Sequence, residues 1–252
     1  MEKEYYREYY ELERSHWYFK ARTNILRVLA KKYNPVEKKL KILNIGVATG
    51  GTTRLLEEFG EVTSVEYDKE CCEFLENTAG IKAINASILD LPFGNNTFDL
   101  VCAFDVIEHV EDDQLAVREM ARVTRDDGVN MLTVPAYMFL WSRHDEINHH
   151  FRRYTKPKLL KLFRKTEMRP LFKSYYNFFL FFPITFYRVF FSKLIRSKKG
   201  TGSDFEGANS SKFLSKIFYR IFNAEKGILK MFRLPVGVSI IVVLKKEYEP
   251  AS

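Results

Sequence analysis

The strongest constraint on the fold is the stretch from Ile42 to Gly51, where an apolar run passes directly into a loop of small residues. A helix-like pattern follows, so the predicted order is strand, tight turn and helix. Glycines in such a turn let the backbone approach a ligand closely, and free N–H groups at a helix N-terminus favour a polar or anionic group. Residues 62–66 read as a second strand that ends in the carboxylate of Glu66. A glycine turn with an acid about 20 residues further on is the layout of a nucleoside-binding α/β domain, in which the acid accepts hydrogen bonds from ribose hydroxyls.

The rest of the chain alternates between strands and helices. Two helices, broken near Ser15-His16, are predicted over residues 4–33. The predicted strands lie at 41–46, 62–66, 81–84, 98–104, 128–134, 168–175 and 238–244, and the later helices at 51–59, 69–78, 112–123, 156–165 and 212–232. This order favours a doubly wound parallel sheet that is covered by helices on both faces.

Charge is distributed unevenly along the 252 residues. Residues 151–200 hold fourteen Lys or Arg and a single acid, Glu167, whereas residues 1–150 carry an acidic excess. Such a basic and aromatic segment points to anionic lipid, nucleic acid or an anionic substrate. Three cysteines, two of them adjacent, give no disulfide framework, and the charged start does not read as a signal peptide. We therefore expect a cytoplasmic protein, with the inner membrane face as a peripheral location.

Four further motifs, which follow one another along the chain, indicate a more specific class of protein. They are Leu-Pro-Phe at 91–93, Phe-Asp-Leu-Val at 98–101, Asp-Val-Ile-Glu-His-Val at 105–110 and Glu-Met-Ala-Arg-Val at 119–123. Together they resemble the class I S-adenosylmethionine-dependent methyltransferases, over roughly residues 40–135 and the last strand at 237–245. The resemblance implies a small-molecule methyltransferase of a bacterial branch with a C-terminal aromatic and basic insertion. It also implies a Rossmann-like seven-stranded sheet, with N-terminal helices and a helical insertion before the last strand.

The same resemblance implies a set of contacts for S-adenosylmethionine. They are Asn44, Gly46, Ala48, Thr49 and Gly50 in the glycine loop, Glu66 and Tyr67 at the ribose, Ser87 and Ile88 at the adenine, and Phe104 and Asp105 after the fourth strand. Three positions depart from the family pattern. Asn44 and Ser87 stand where acids are usual, and Ala48 replaces a glycine. An amide at 44 can still form hydrogen bonds, a methyl at 48 fits if φ is negative, and Ser87 loses an adenine contact worth ~0.5–1.5 kcal/mol.

Methyl transfer requires an aligned acceptor and, for a hydroxyl or ammonium acceptor, removal of a proton. The candidate catalytic residues are His109, Asp105 and His150, with His144, His149 and Glu146 as further candidates for the base. A structural role for His109, bracing the loop after the fourth strand, is an equal alternative.

The run from residue 141 to residue 154 is dense in histidine, carboxylate and arginine side chains. Histidine and carboxylates are metal ligands, but the interleaved arginines would repel a cation, so we expect no metal. The run directly follows a strand whose end borders the predicted cofactor site, which favours a lid or an acceptor-recognition loop.

Residues 175–191 form a nearly continuous aromatic and apolar segment, interrupted by Pro183 and Arg188. It reads as a helix that packs on the domain, forms a dimer interface, lies on a membrane or, as the weakest interpretation, spans one. Its basic continuation to residue 199 would meet anionic head groups. The domain hypothesis is an N-terminal helical cap (1–36), a methyltransferase domain (37–175 plus 236–248) and an aromatic and basic insertion (176–235).

The leading functional hypothesis is methyl transfer to an apolar, lipid-linked or glycan-linked small molecule. A non-catalytic cofactor-binding or membrane-associated scaffold is the main alternative. A nucleic-acid methyltransferase is disfavoured because Phe-Asp-Val-Ile at 104–107 stands where an Asn-Pro-Pro-Tyr-type tetrad would be expected. An NAD-dependent enzyme is disfavoured because the loop lacks Gly-x-Gly-x-x-Gly spacing. The oligomeric state is left open.

Overall fold

The computed structural model describes residues 3–34, 39–188 and 212–247. The strands within these ranges are β1 (Leu40–Ile45), β2 (Gly60–Glu66), β3 (Ala83–Asn85), β4 (Phe98–Phe104), β5 (Thr124–Pro135), β6 (Met168–Tyr176) and β7 (Ser239–Lys246). They form one sheet in the order β3-β2-β1-β4-β5-β7-β6. The first five strands of that order are parallel, and β7 is antiparallel to both of its neighbours. The predicted Rossmann-like seven-stranded sheet is therefore confirmed.

Helices cover both faces of the sheet. They are α1 (Lys3–Ser15), α2 (Trp17–Tyr33), α3 (Gly51–Leu56), α4 (Lys69–Ala79), α5 (Asp113–Val123), α6 (Arg143–Ile147), α7 (Lys156–Leu162), α8 (Phe181–Phe186) and α9 (Lys212–Met231). Successive strand residues face opposite sides, so Ile42 of β1 packs in the layer that contains α2 and α9, and Leu43 packs in the layer that contains α5 and α7. This two-sided burial explains why the central strands are apolar along their whole length.

The order of the strands sets where a ligand can bind. The chain leaves β1 toward β2 on one side, whereas β4 lies on the other side of β1. The carboxyl ends of β1 and β4 therefore flank the crevice at which open α/β sheets bind ligands. The glycine loop follows β1, and Asp105 follows β4, so both are at that crevice.

The aromatic segment does not form the single helix that the sequence suggested. Its first residues, Tyr175 and Tyr176, complete β6, and α8 begins only at Phe181. Pro183 lies in the first turn of α8, where a backbone N–H has no partner within the helix and its absence costs little. No helix in the described ranges is both long and apolar enough to cross a bilayer. The basic continuation at 189–199 lies outside the described residues.

Helix α9 joins the segment after β6 to the N-terminal helices. Asn24 of α2 donates a hydrogen bond to Asn223 of α9 (2.9 Å), and the Tyr18 and Phe222 rings stack with centroids 5.4 Å apart. The buried carboxylate of Glu225 accepts hydrogen bonds from the backbone N–H groups of residues 177, 178 and 179. Burial raises the pKa of Glu225 to about 7, although these three donors favour its charged form. Glu225 thus fixes the turn that leads from β6 into α8.

Candidate active site

The glycine loop has a backbone that strongly favours glycine at two positions. Gly46 and Gly50 have φ of 67° and 90°, and a Cβ on Gly46 would lie 2.6 Å from Val106 Cγ2. Ala48 also has a positive φ, of 44°, so the condition under which a methyl group fits easily at this position is not met. An alanine in this region costs about 1–2 kcal/mol, so surrounding contacts must hold it. Glu66 supplies one of them, because its Oε2 accepts a hydrogen bond from the Ala48 N–H (3.0 Å).

Glu66 ends β2 beside this loop. Its second carboxylate oxygen, Oε1, accepts a hydrogen bond from the Asp68 N–H at 3.1 Å. A carboxylate has about four lone-pair sites, so each oxygen keeps capacity for a further donor such as a ribose hydroxyl. In the next strand, Asn85 is in register with Glu66 and donates to the backbone carbonyls of Glu66 and Tyr67. Glu66 is therefore both a brace for the loop and an available acceptor.

Helix α1 closes over the loop from the other side. Glu13 Oε2 accepts hydrogen bonds from the Thr49 hydroxyl (2.6 Å) and the Gly51 N–H (3.0 Å). Arg14 of the same helix donates to the Thr49 carbonyl (3.2 Å). The donors of the loop thus already hold one carboxylate, which shows that they suit an anionic oxygen.

A cavity of about 300 Å³ extends from the glycine loop to the loop after β4 and the dense 141–154 run. Its lining includes Gly46 and Ala48 at one end, Arg22, Phe104 and Asp105 in the middle, and Glu108, His109, His144 and His150 at the other end. Trp17 and Tyr18 from α2, with Ile184 and Arg188 from the α8 region, complete an aromatic and apolar wall. A larger cavity of about 440 Å³, lined by Asn95, Arg122 and Lys246 among others, lies near the starts of β4 and β5. That edge is opposite the one at which such sheets bind ligands.

Asp105 lines the first cavity and forms a partly buried ion pair. Arg22 Nη2 is 2.6 Å from Asp105 Oδ2, and the Thr133 hydroxyl donates to Oδ1 at 3.0 Å. The Arg22 side chain is 8% exposed, whereas that of Asp105 is 33% exposed. Asp105 has a positive φ of 58°, so its backbone is held in a conformation that non-glycine residues seldom adopt. These contacts hold the Asp105 carboxylate in a fixed position in the cavity wall.

The far end of the cavity is a network of histidines and carboxylates. Arg153 binds both oxygens of the buried Asp145, at 2.7 and 2.9 Å, and His150 Nδ1 lies 2.8 Å from Asp145 Oδ1. Burial opposes the charge on Asp145, but the hydrogen bonds from His150 and Arg153 hold its pKa well below the usual range. The His109 and His150 rings are perpendicular, with centroids 4.5 Å apart. Burial, with a contribution from His150, lowers the pKa of His109 to about 4, so this imidazole is neutral.

Glu108 lies at the same end of the cavity, and its carboxylate lacks hydrogen bonds. It is fully buried, and neither carboxylate oxygen has a hydrogen-bond partner. Burial, reinforced by the nearby charge of Asp105, raises its pKa well above the ordinary value. Its backbone carbonyl accepts from the Phe151 N–H (2.8 Å), which ties the loop after β4 to the 141–154 run.

The structure brings seven of the predicted site residues to the cavity wall: Gly46, Ala48, Phe104, Asp105, His109, His144 and His150. The others lie elsewhere. Asn44 is fully buried and donates to the hydroxyls of Thr52 and Thr53, so it supports the loop from behind. Thr49 is buried beneath Glu13, and a Cβ on Gly50 would lie 2.6 Å from Ile81.

None of the predicted ribose and adenine contacts belongs to the cavity lining. Tyr67 is 77% exposed, Ile88 is buried in the core, and the Ser87 hydroxyl accepts from the Leu89 N–H. Of the other histidines in the 141–154 run, His144 lines the cavity, whereas His149 is exposed.

Two residues that the motifs missed, Glu13 and Arg22, come from the N-terminal helices. Arg22 lies three residues from both Phe19 and Ile25 on the buried face of α2. A charge within an apolar helical stripe is the signal that could have found it. Glu13 offers no comparable signal, because it is one of many acids in a polar helix.

A glycine turn and a strand-end carboxylate beside the crevice of a doubly wound sheet define a nucleoside-binding Rossmann-like domain. Comparisons with known proteins indicate which nucleoside-binding proteins the chain is similar to. Residues 43–132 match the family described as a methyltransferase domain. Norajmaline N-methyltransferase of Rauvolfia serpentina is 30% identical over 99 residues, which are 36% of this chain and 34% of that protein. Demethylmenaquinone methyltransferase of Staphylococcus aureus (strain MRSA252) is 28% identical over 159 residues, which are 57% of this chain and 63% of that protein.

A solved structure of geranyl diphosphate methyltransferase, in complex with GPP and sinefungin, has the same fold. It superposes with a TM-score of 0.58 at 13% identity, covering 90% of this chain and 76% of that one. The chain thus spans about a third of one curated relative and less than two thirds of the other. Residues 43–132 thus match a methyltransferase domain, and the chain has the fold of a solved methyltransferase.

Proposed function

We propose that the chain transfers a methyl group from S-adenosylmethionine to a small, apolar acceptor. The observation that carries this proposal is the single cavity that joins the glycine loop to an aromatic and histidine-lined end. Methyl transfer needs such a continuous space, because donor and acceptor must meet in line. The family supports the donor, and the norajmaline, demethylmenaquinone and geranyl diphosphate enzymes support a small-molecule acceptor.

The residues present fit S-adenosylmethionine. The N–H groups of Ala48 and Gly51 are bound by the carboxylates of Glu66 and Glu13, so the fit depends on Glu66, whose oxygens keep acceptor capacity for hydroxyls. When bound, the cofactor supplies an activated methyl group on a sulfonium. Phe104 and the Arg22–Asp105 pair would shape the space between the two ends of the cavity.

The acceptor would bind at the end of the cavity that is lined by histidines. His109 is neutral at physiological pH and can accept a hydrogen bond from a hydroxyl or ammonium acceptor, which would orient it; the lowered pKa makes the imidazole a weak base. The Asp145 carboxylate fixes the orientation of His150. Trp17, Tyr18 and Ile184 supply an apolar wall, which favours an acceptor with apolar surface.

Binding calorimetry of the purified chain tests the donor. We expect saturable binding of S-adenosylmethionine and of sinefungin, and no binding of NAD. Absence of S-adenosylmethionine binding at millimolar concentration would refute the proposal. Binding without methyl transfer to any of a panel of quinone, alkaloid and prenyl-diphosphate acceptors would favour the non-catalytic alternative.

We propose further that the outer face of α8 meets an anionic bilayer, from which an apolar acceptor reaches the cavity. Ile184 and Arg188 face the cavity, while Phe182, Phe186 and Tyr187 are 60%, 58% and 56% exposed. Aromatic side chains beside a strongly basic stretch of sequence are typical of an interfacial contact.

Vesicle flotation tests this contact. The protein should float with vesicles rich in phosphatidylglycerol and stay behind with pure phosphatidylcholine. Replacing Phe182 and Phe186 together by serine should reduce flotation several-fold. The matched control is Ile84→Ser, an exposed residue on β3 at the opposite edge of the sheet. Flotation that is independent of lipid charge, or equal loss in both variants, would rule the contact out.

A further inference from the structure

We propose that Glu108, His109 and His150 form a binding site for a divalent transition-metal ion in the cavity wall. One ligand atom from each of the three side chains lies within 4.8 Å of the others. Nitrogen and oxygen ligands at ~2.0–2.2 Å from a common ion are at most about 4.4 Å apart, so small side-chain adjustments close the site. All three residues line the cavity, and a bound ion would therefore be reachable from it.

His150 is oriented as a metal ligand would be. Its Nδ1 faces Asp145 Oδ1 at 2.8 Å, which leaves Nε2 as the atom available to an ion. A carboxylate behind a histidine fixes the tautomer and makes the ring a better ligand. Asp145 is itself held by both nitrogens of the Arg153 fork and by the Ser142 N–H (2.8 Å). The Asp145 carboxylate that orients His150 is therefore held in a fixed position.

The carboxylate of Glu108 provides a second, independent observation that points to a bound cation. It is fully buried, and both of its oxygens lack a hydrogen-bond donor. A buried carboxylate without a partner is unfavourable by several kcal/mol, and a coordinated cation removes that cost. Because the oxygens belong to the same cluster as the two imidazoles, one ion can satisfy all three groups.

Two arginines of the 141–154 run are paired with carboxylates and so repel a cation less than the sequence suggested. Arg153 is paired with Asp145, and Arg152 is paired with Asp113 at 2.9 Å. Arg22, which also lines the cavity, is paired with Asp105. An ionised Glu108 adds a negative charge at the cluster, opposite in sign to Arg188 in the same cavity wall.

Two imidazoles and one carboxylate indicate the class of ion. This donor set suits Zn²⁺, Fe²⁺, Mn²⁺ or Co²⁺ rather than Ca²⁺ or Mg²⁺, which prefer all-oxygen sites. Three protein ligands leave at least one coordination position open. An oxygen atom of the acceptor could occupy it, and this second role rests on the proposed function, whereas metal binding does not.

Metal titration without cofactor or acceptor tests the site. The full chain, with any histidine tag removed, is stripped with EDTA and titrated with Zn²⁺, Mn²⁺ and Co²⁺ by calorimetry, with Co²⁺ also followed by its visible absorption. We expect one ion per chain. Glu108→Gln and His150→Ala should each weaken binding at least about tenfold, since removing a group that only holds a metal ligand in place already has an effect of that size.

His149→Asn is the matched control, because it removes an exposed imidazole next to His150 that is outside the cluster, and asparagine tolerates the positive φ of 54° at this position. It should bind the ion as the parent does. Circular dichroism checks that each variant is folded, and Glu108→Gln, which preserves shape, keeps the test decisive if His150→Ala unfolds. No saturable binding of any of the three ions, or equal binding by the parent and Glu108→Gln, would overturn the metal site while leaving S-adenosylmethionine binding untouched.

Discussion

Glu66→Ala is expected to weaken S-adenosylmethionine binding at least tenfold. Two losses act together in this variant. The carboxylate that would accept the ribose hydroxyls disappears, and hydrogen bonds to a charged acceptor contribute about 1.5–3 kcal/mol each. The brace on the loop disappears as well, because Ala48 loses the acceptor of its N–H in a backbone conformation that is unfavourable for alanine. Calorimetric dissociation constants of the parent and the variant measure the effect.

Two control variants separate these losses from a general effect of charge. Glu61→Ala removes an exposed carboxylate from the same strand and should leave the affinity unchanged. Glu66→Gln keeps one acceptor oxygen and should fall between the parent and the alanine variant. If Glu66→Ala binds as tightly as the parent, the carboxylate has no role at the ribose.

The sheet could be predicted because each of its strands, and each helix that covers it, is specified by one continuous stretch of sequence. Each strand is a short apolar run, each helix has its own periodicity, and the glycine loop joins two of them in one continuous stretch. The site was predictable only where it follows directly from a strand end. Phe104 and Asp105 reached the cavity because β4 ends there, and Gly46 because β1 does.

The missed parts of the site depend on contacts between distant residues. Glu13 meets Thr49 across 36 positions, and Arg22 meets Asp105 across 83. No local pattern reports which acid pairs with which base, so the sequence could not show that Arg152 and Arg153 are paired with Asp113 and Asp145. Likewise, Asn44 matched a motif position, but packing turned its amide toward two threonines rather than toward the cavity.

The largest effect on stability is expected at the ion pair in the middle of the cavity. Arg22→Ala should lower the free energy of unfolding by about 1–3 kcal/mol. This lies between the values for exposed and for fully buried pairs, because the Asp105 side chain that keeps its charge is 33% exposed. Arg22 Nη2 is 2.6 Å from Asp105, and its side chain is only 8% exposed. Urea denaturation of the parent and the variant measures the loss.

Arg27→Ala provides the matched control on the same helix. Arg27 pairs with Glu58 at 2.8 Å, but both side chains are substantially exposed, and such surface pairs contribute only ~0.2–1 kcal/mol. The double variant Arg22→Ala with Asp105→Asn completes the comparison, since asparagine tolerates the positive φ and no longer leaves a bare charge. It should recover part of the stability that Arg22→Ala loses. The pair is not coupled if Arg22→Ala lowers the free energy of unfolding no more than Arg27→Ala does, or if the losses from Arg22→Ala and Asp105→Asn simply add in the double variant. The shape of the cavity must then depend on other contacts.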